Sequence, residues 1–452
     1  MRTISLHDTW TGRIRPLVPV RPPHVRIYAC GPTVYGRIHV GNARPYVVFS
    51  LLKRFLLSQG YSVEFVVNVT DINDKIYAAA RQAGIASLAL AERMTAAYMA
   101  DTDALGLGRP DFEPLASETI DPIVALIERL VGDGHAYEVS GDVYFSVRSY
   151  PAYGELSHRD IEQMDQGEGV QGADRKRDPL DFALWKARKD DEDAFWDSPW
   201  GPGRPGWHIE CSAMAEQILG LGFEIHGGGS DLLFPHHENE AAQSAAAHGE
   251  PLAQLWVHNG MVRMASDKMS KSVGNVFVLH EALAQYGRDA LLMYLCGAHY
   301  RQPVEFDAER LTEAAARCGR IRGAARALVP GPSPEWSAPL TERFFAALAA
   351  DFNTPGALAA VFDWVREANR RGGESIGHAD LRAMLDVLGL ANLSDRELVA
   401  VPAAAQGLLE ARQRARAARE FGQADAIRDQ LRAMGWEVRD GADGPELMPA
   451  TQ

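Results

Sequence analysis

The chain has 452 residues and a mass of 49.5 kDa, which at roughly 150 residues per domain predicts two to four domains. Its 46% hydrophobic and 23% charged residues, with 41 glycines, exclude a collagen, a disordered tail and a disulfide scaffold. Sixty acidic against 46 basic residues give a net charge of −14, which excludes coating of nucleic acid through bulk charge and leaves only local basic strips for that task. The opening Met1-Arg2-Thr3-Ile4-Ser5-Leu6-His7-Asp8 has no apolar stretch of signal-peptide length, and no later run reaches the length of a membrane span. A cytoplasmic protein with no membrane partner is expected. Cys30, Cys211, Cys296 and Cys318 are too few and too dispersed for a disulfide framework, so they read as buried thiols or metal ligands.

In chain order, His24 to Cys30 reads as a strand, with Val25, Ile27 and Ala29 alternating with Arg26 and Tyr28 before Gly31-Pro32. From Asn42 the apolar residues Val47, Val48, Leu51, Leu52, Phe55 and Leu56 recur at helical spacing up to Gly60. Val63, Phe65, Val67 and Val69 then alternate again. This βαβ unit opens a parallel sheet of Rossmann type, and its first strand-to-helix turn, Gly31 to Asn42, lies at the sheet edge where open α/β folds bind ligands. Residues 120 to 205 interrupt the pattern with a helix (Ile123 to Leu130), a strand (Asp142 to Val147) and a polar stretch, which reads as an insertion. The sheet resumes at Phe223-Glu224-Ile225 and Leu255-Trp256-Val257. Pro330, Pro332, Pro334 and Pro339 mark a linker, after which Thr354 before Pro355 starts a capped helix and Leu381, Met384, Leu385 and Leu388 form a further apolar stripe.

The expected fold class is therefore α/β, a Rossmann-type nucleotide-binding domain with an insertion, followed by an α-helical bundle and a small C-terminal domain. The boundaries expected are 1–120 and 206–265 for the two halves of the catalytic domain and 121–205 for the insertion. A further region spans 266–330, the bundle 331–395 and the C-terminal domain 396–452.

His39-Val40-Gly41-Asn42 sits where the first turn becomes a helix, so backbone N–H groups, His39 and the Asn42 amide can face a phosphate, while Gly41 allows close approach. His39 reads equally as an ordinary helix-start residue. Downstream, Lys268-Met269-Ser270-Lys271-Ser272 places two lysines in one loop, which suits neutralisation of a polyphosphate or simply a solvated surface. The two segments, in this order, resemble the two signatures of class I aminoacyl-tRNA synthetases. Cys30-Gly31-Pro32-Thr33-Val34-Tyr35, Trp207-His208-Ile209-Glu210-Cys211-Ser212-Ala213-Met214 and the run from His226 to Glu240 narrow the resemblance to the cysteinyl-tRNA synthetase family. Asn68 to Lys75, Asp181 to Lys186 and Asp351 to Pro355 extend it over nearly the whole chain.

The resemblance implies a ligase that activates L-cysteine with ATP and Mg2+ to cysteinyl-adenylate, then transfers it to the terminal adenosine of cysteine tRNA. It implies one Zn2+ per chain on Cys30, Cys211, His236 and Glu240. The residue types agree, since two thiolates, an imidazole and a carboxylate form a borderline-soft set, with His236 and Glu240 four residues apart on one helix face. His237 is the rival of His236. Zinc would take the substrate as a thiolate and so reject serine, whose hydroxyl is a poor ligand. Motif matching implies catalytic and ATP-binding roles for His39, Asn42, Lys268 and Lys271, an ATP contact at Gly41, and cysteine contacts at Thr70, Trp207 and Asp231. Asn42 stands where many members carry a second His, and it can donate a hydrogen bond but cannot carry charge.

Near the C terminus Arg412, Arg416 and Arg419 recur at helical spacing, as do Arg428 and Arg432, with Glu410, Glu420, Asp425 and Asp429 interleaved. A solvated ion-paired helix and a phosphate-binding face both fit. The resemblance implies the second, an anticodon-binding domain in which Arg412, Arg416, Arg419, Arg428, Trp436 and Asp440 contact tRNA. The chain departs from the family pattern in closing with Pro445-Glu446-Leu447-Met448 in place of an aromatic and basic ending. A monomer is expected. The rival enzyme is a related ligase that passes cysteine to an amino-sugar, which would need no anticodon domain.

Overall fold

A computed structural model describes residues 2–164, 175–264, 277–372, 376–395, 402–441 and 444–449. The chain forms two compact units, Met1–Ser394 and Asp395–Gln452.

In the first unit, a hairpin of β1 (Ser5–Asp8) and β2 (Arg13–Pro16) precedes β3 (His24–Ala29), α1 (Val40–Ser58) and β4 (Ser62–Val67). The alternation of Val25, Ile27 and Ala29 with Tyr28 sends the first three into one hydrophobic core and Tyr28 into a second on the opposite face. The strand is therefore covered on both faces, as expected of a parallel sheet. Helices α2 (Asp74–Ala83) and α3 (Ser87–Asp103) follow. The insertion contains α4 (Ile120–Gly132) and an antiparallel sheet of β5 (Ala136–Val139), β6 (Asp142–Phe145), β7 (Phe182–Ala187) and β8 (Gly203–Pro205). The nucleotide fold then resumes with α5 (Trp207–Leu219), β9 (Phe223–Gly229), α6 (Glu238–His248) and β10 (Ala253–Asn259).

The main sheet is parallel throughout, in the order β10-β9-β3-β4. Strand order reverses between β3 and β9, which makes the gap beyond their carboxyl ends the ligand-binding position of the fold. Pairing there is close: a Cβ on Gly227 would lie 2.0 Å from the Phe49 ring of α1, so only glycine lets the helix sit against β9.

After β11 (Val262–Met264) come α7 (Leu279–Tyr286), α8 (Arg288–Cys296), β12 (Val304–Phe306), α9 (Ala308–Ala325), α10 (Ala338–Ala349), α11 (Thr354–Arg370) and α12 (Ala379–Val387). The Pro-rich stretch joins α9 to α10, and residues from both helices lie in the same hydrophobic core as α1. Capping of α11 differs from the expectation at Thr354. Asn353 is the cap, its side chain accepting from the Gly356 N–H at 2.9 Å, and Thr354 is already helical.

Two buried polar groups tie these parts together. Arg44 on α1 is 1% exposed and donates to the carbonyls of Gly260 (2.6 Å), Met261 (3.1 Å), His299 (3.4 Å) and Gln302 (2.7 Å). Burial lowers its pKa to about 10, which still leaves it charged at neutral pH. Asp351, between α10 and α11, accepts from the His7 N–H (2.8 Å), the Tyr300 hydroxyl (2.8 Å) and the Arg301 guanidinium (2.6 Å).

The second unit comprises α13 (Ala403–Ala417), α14 (Phe421–Ala433) and a hairpin of β13 (Trp436–Gly441) and β14 (Gly444–Pro449). Its small core contains Ala405, Ile427, Leu431 and Trp436.

Replacing Arg44 by Met removes a charged donor from four carbonyls, and the expected loss of stability is about 3 kcal/mol. Urea unfolding checks this, with Arg44→Lys recovering only part because one ammonium does not span the planar fork. An unchanged midpoint in Arg44→Met would show that the carbonyls find other partners.

Candidate metal and nucleotide site

The site forms at the strand-order reversal. Cys30 continues the ladder beyond β3, its N–H donating to the Gly227 carbonyl of β9 at 3.0 Å. Cys211 comes from α5, His236 from the turn before α6 and Glu240 from the first turn of α6. All four side chains are buried, and one ligand atom from each lies within 4.8 Å of the others. A second cluster, Cys30 with His226 and His237, meets the same test and shares Cys30 with the first.

Glu240 is the hub. Its Oε1 lies 3.1 Å from His236 Nε2 and accepts from the Cys30 Sγ at 3.4 Å, and its Oε2 lies 2.9 Å from His226 Nε2. His236 Nδ1 lies 2.9 Å from His208 Nδ1, so Nε2 is the nitrogen turned toward the cluster. His237 is held otherwise: its Nδ1 lies 2.7 Å from His258 Nε2, whose Nδ1 lies 2.7 Å from Thr9 Oγ1. The rival of His236 is thus bound into a separate chain of hydrogen bonds, with its own Nε2 at 3.9 Å from Glu240.

Electrostatics suit a cation. Burial pushes the Cys30 thiol well above its ordinary range, and burial followed by neighbouring imidazoles holds His236 and His237 well below theirs. A buried carboxylate, two thiols and imidazoles kept neutral by burial are the donor set that a divalent ion satisfies. The residues present therefore fit a metal.

Trp207 stacks on His236 with ring centroids 4.2 Å apart and forms one wall of the cluster. Thr70 is 1% exposed, its hydroxyl accepting from Asn68 Nδ2 at 3.3 Å. Asp231 is exposed in the turn after β9, where its charge acts on His39.

His39 is the N-cap of α1. Its Nδ1 accepts from the Asn42 N–H at 3.2 Å, and Asn42 Oδ1 accepts from the His39 N–H at 3.3 Å. The helix-start reading and the nucleotide reading are therefore compatible, since the cap uses Nδ1 and Oδ1 and leaves Nε2 and the Asn42 amide nitrogen outside it. A Cβ at Gly41 would lie 2.9 Å from the His39 ring, so glycine is needed by the cap itself. Burial lowers the His39 pKa, which favours the neutral ring. The backbone joins the second signature's flank to this cap: Val40 N–H donates to Phe277 O at 3.1 Å and Leu279 N–H to Ile38 O at 2.9 Å. Lys268 and Lys271 themselves lie outside the described residues.

In the second unit the residues of the expected tRNA set differ in exposure. Arg412 on α13 and Trp436 on β13 are each 7% exposed, Trp436 packing in the small core with Ala405, Ile427 and Leu431. Arg419 lies beyond α13 with a left-handed φ of 63°, so it does not continue the helical face of Arg416. Arg416, Arg419 and Arg428 are exposed, Arg428 lying 3.5 Å from Asp425. The Asp440 side chain is outside the described residues.

Sequence reasoning assigned no role to His208, His226, His258 or Tyr28, all of which surround the cluster. They come from separate strands and helices with no common spacing, so only the three-dimensional pairing exposes them.

Residues 16–316 match the family described as "tRNA synthetases class I (C) catalytic domain", residues 343–392 the "DALR domain" and residues 398–445 the "Cysteinyl-tRNA ligase anticodon binding domain". Among solved structures, the chain is similar to Mycobacterium tuberculosis methionyl-tRNA synthetase in complex with methionyl-adenylate, with a TM-score of 0.59 at 18% identity over 81% of this chain and 90% of that one. It is also similar to the ternary complex of Agrobacterium radiobacter LeuRS with tRNA, with a TM-score of 0.61 at 12% identity over 84% and 85%. Fold and matched catalytic domain define a class I aminoacyl-tRNA synthetase, an enzyme that uses ATP. Curated relatives named "Cysteine--tRNA ligase" are 46% identical in Alkalilimnicola ehrlichii and 44% in Pseudothermotoga lettingae, each over 98% of both chains. The chain belongs to the cysteine–tRNA ligase family.

Replacing His226 by Phe removes the imidazole nitrogen that lies 2.9 Å from Glu240 Oε2 while keeping an aromatic ring against Trp256, with which His226 stacks at 4.3 Å. Metal affinity is expected to fall about 10- to 100-fold, read by chelator competition. Equal affinities would remove His226 from the support of the cluster.

Proposed function

We propose that the chain is a cysteine–tRNA ligase: it forms cysteinyl-adenylate and pyrophosphate from L-cysteine and ATP, then moves cysteine to the terminal adenosine of cysteine tRNA. The observation that carries this reading is the convergence of Cys30, Cys211, His236 and Glu240 beyond the carboxyl ends of β3 and β9. We assign zinc to that set. Zinc bound there supplies a soft Lewis acid that accepts a thiolate and discriminates against a hydroxyl.

The remaining chemistry is positioning and charge stabilisation by the chain's own residues. Trp207, stacked on His236, shapes the amino acid pocket, Thr70 lines it, and Asp231 receives the substrate ammonium. The neutral His39 Nε2, the Asn42 amide and the N-terminal amides of α1 receive the ATP phosphates. Lys268 and Lys271 neutralise charge that develops on the polyphosphate, with Mg2+ accompanying ATP. Arg416, Arg419 and Arg428 bind tRNA phosphates in the second unit. We take the working form to be a cytoplasmic monomer. Among the described residues no helix is long and apolar enough to cross a membrane.

Cysteine-dependent ATP–pyrophosphate exchange tests the first half-reaction. Exchange is expected with cysteine, not with serine, and is lost on zinc chelation. Its absence in zinc-replete protein would overturn the reading. Charging of cysteine tRNA, against transfer to an amino-sugar, tests the acceptor.

Two substitutions separate the roles. Cys211→Ser is expected to lose zinc and cysteine binding together, whereas Lys271→Ala slows exchange about 100-fold with zinc content retained. Equal zinc loss in both variants would sink that division.

A further inference from the structure

Beyond the carboxyl ends of β3 and β4 the chain keeps pairing. The Thr70 N–H donates to the Pro32 carbonyl and the Val34 N–H donates to the Thr70 carbonyl, both at 3.1 Å, so the segment after Cys30 runs along the segment that carries Thr70. The seam is tight: a Cβ on Gly31 would lie 1.7 Å from the Asn68 carbonyl oxygen. Asn68 is fully buried in it. Its Oδ1 accepts from the Gly31 N–H at 2.8 Å, and its Nδ2 donates to Thr70 Oγ1 at 3.3 Å.

The direction of this amide follows from chemistry. A backbone N–H can only donate, so the Asn68 atom facing Gly31 is the oxygen and the atom facing Thr70 is the nitrogen. That nitrogen can only donate in turn, which makes Thr70 Oγ1 its acceptor and points the hydroxyl hydrogen away from Asn68. Both backbone groups of Thr70 are paired across the seam and its side-chain oxygen is held, so the hydroxyl is oriented before any substrate arrives.

We infer that Asn68 is a positioning residue that sets the Thr70 hydroxyl as a hydrogen-bond donor to the carboxylate of the bound amino acid. This rests on the placement of Thr70 in the amino acid pocket proposed above. An ammonium has no lone pair to offer such a donor, and on the same reading the substrate sulfur goes to the metal, so the carboxylate is the acceptor that remains. Asn68 itself touches no substrate atom. It decides which way the hydroxyl of Thr70 is used, and through Gly31 it ties that donor to the backbone next to Cys30.

The test is a double-substitution cycle read by cysteine-dependent ATP–pyrophosphate exchange in the full-length, zinc-replete protein. In Asn68→Asp the Gly31 N–H keeps its acceptor, but a carboxylate oxygen replaces the amide nitrogen and draws the Thr70 hydrogen to itself. The KM for cysteine is expected to rise about 10-fold, with the KM for ATP, the rate at saturating cysteine and the zinc content unchanged. Thr70→Val is expected to raise it by a similar factor, Thr70→Ser to stay near wild type, and Asn68→Asp to add nothing further in the Thr70→Val background. Asn68→Ala, which removes the donor without introducing a charge, is expected to show the same coupling and serves where Asn68→Asp does not fold. Equal rises in both backgrounds, or no rise in either, overturn the inference while leaving Thr70 in the pocket. An unchanged cysteine KM in Thr70→Val overturns both. Cysteamine, which lacks the carboxylate, is expected to inhibit the wild type and Asn68→Asp equally, and a loss of inhibition matching the loss for cysteine would overturn the inference.

Discussion

The pairing of β3 with β9 is the constraint on which the molecule depends. Ile27, Tyr28 and Ala29 register against Ile225, His226 and Gly227, joining two strands separated in sequence by α1 to α5 and the whole insertion. Every element of the candidate site inherits its place from that ladder. Cys30 extends it, His226 and Tyr28 face each other across it, and α1, which starts at the His39 cap, packs onto Gly227. Loop closure of this size is entropically tolerable because its cost grows only with the logarithm of length, so a folded insertion can be accommodated between the two halves.

The insertion is held to the site by more than its ends. Glu238 accepts from the Gly154 and Ser157 N–H groups, both at 2.7 Å, and Asn239 accepts from the Tyr153 hydroxyl at 2.5 Å. Residues adjacent to Glu240 thus grip the insertion, while Arg44 and Asp351 grip the segments that follow β10 and the helices that end the unit. The candidate site is fixed from several sides by buried, charge-assisted hydrogen bonds, the kind of support that pre-organised chemistry requires.

Much of the architecture was legible in the sequence because alternation and helical spacing report burial directly. The first βαβ unit, α4, β6, β9 and β10 lie where the apolar pattern placed them. The helix cap at Asn353 was misread by one residue because Thr354, Asn353 and Pro355 are all good helix-start residues, and the choice between neighbours is made by backbone geometry. The burial of Arg412 was not legible, because an arginine's long stem can be buried as readily as displayed and spacing alone does not say which face of α13 meets the core. The four candidate metal ligands were legible only through resemblance. A cysteine just beyond a strand, another on a helix, a His in a turn and a Glu on the helix after it share no common periodicity, and neither do the histidines around them.

The distance in sequence between Cys30 and Glu240 also orders events in time. A ribosome delivers the first ligand long before the last, and until β9 has docked beside β3 no complete ligand set exists for a metal to find. Contacts of such long range form late, because loop closure must be met before they stabilise anything. A metal held on this candidate set would consequently mark completion of the catalytic unit, since only chains whose nucleotide fold has already closed present all four side chains together.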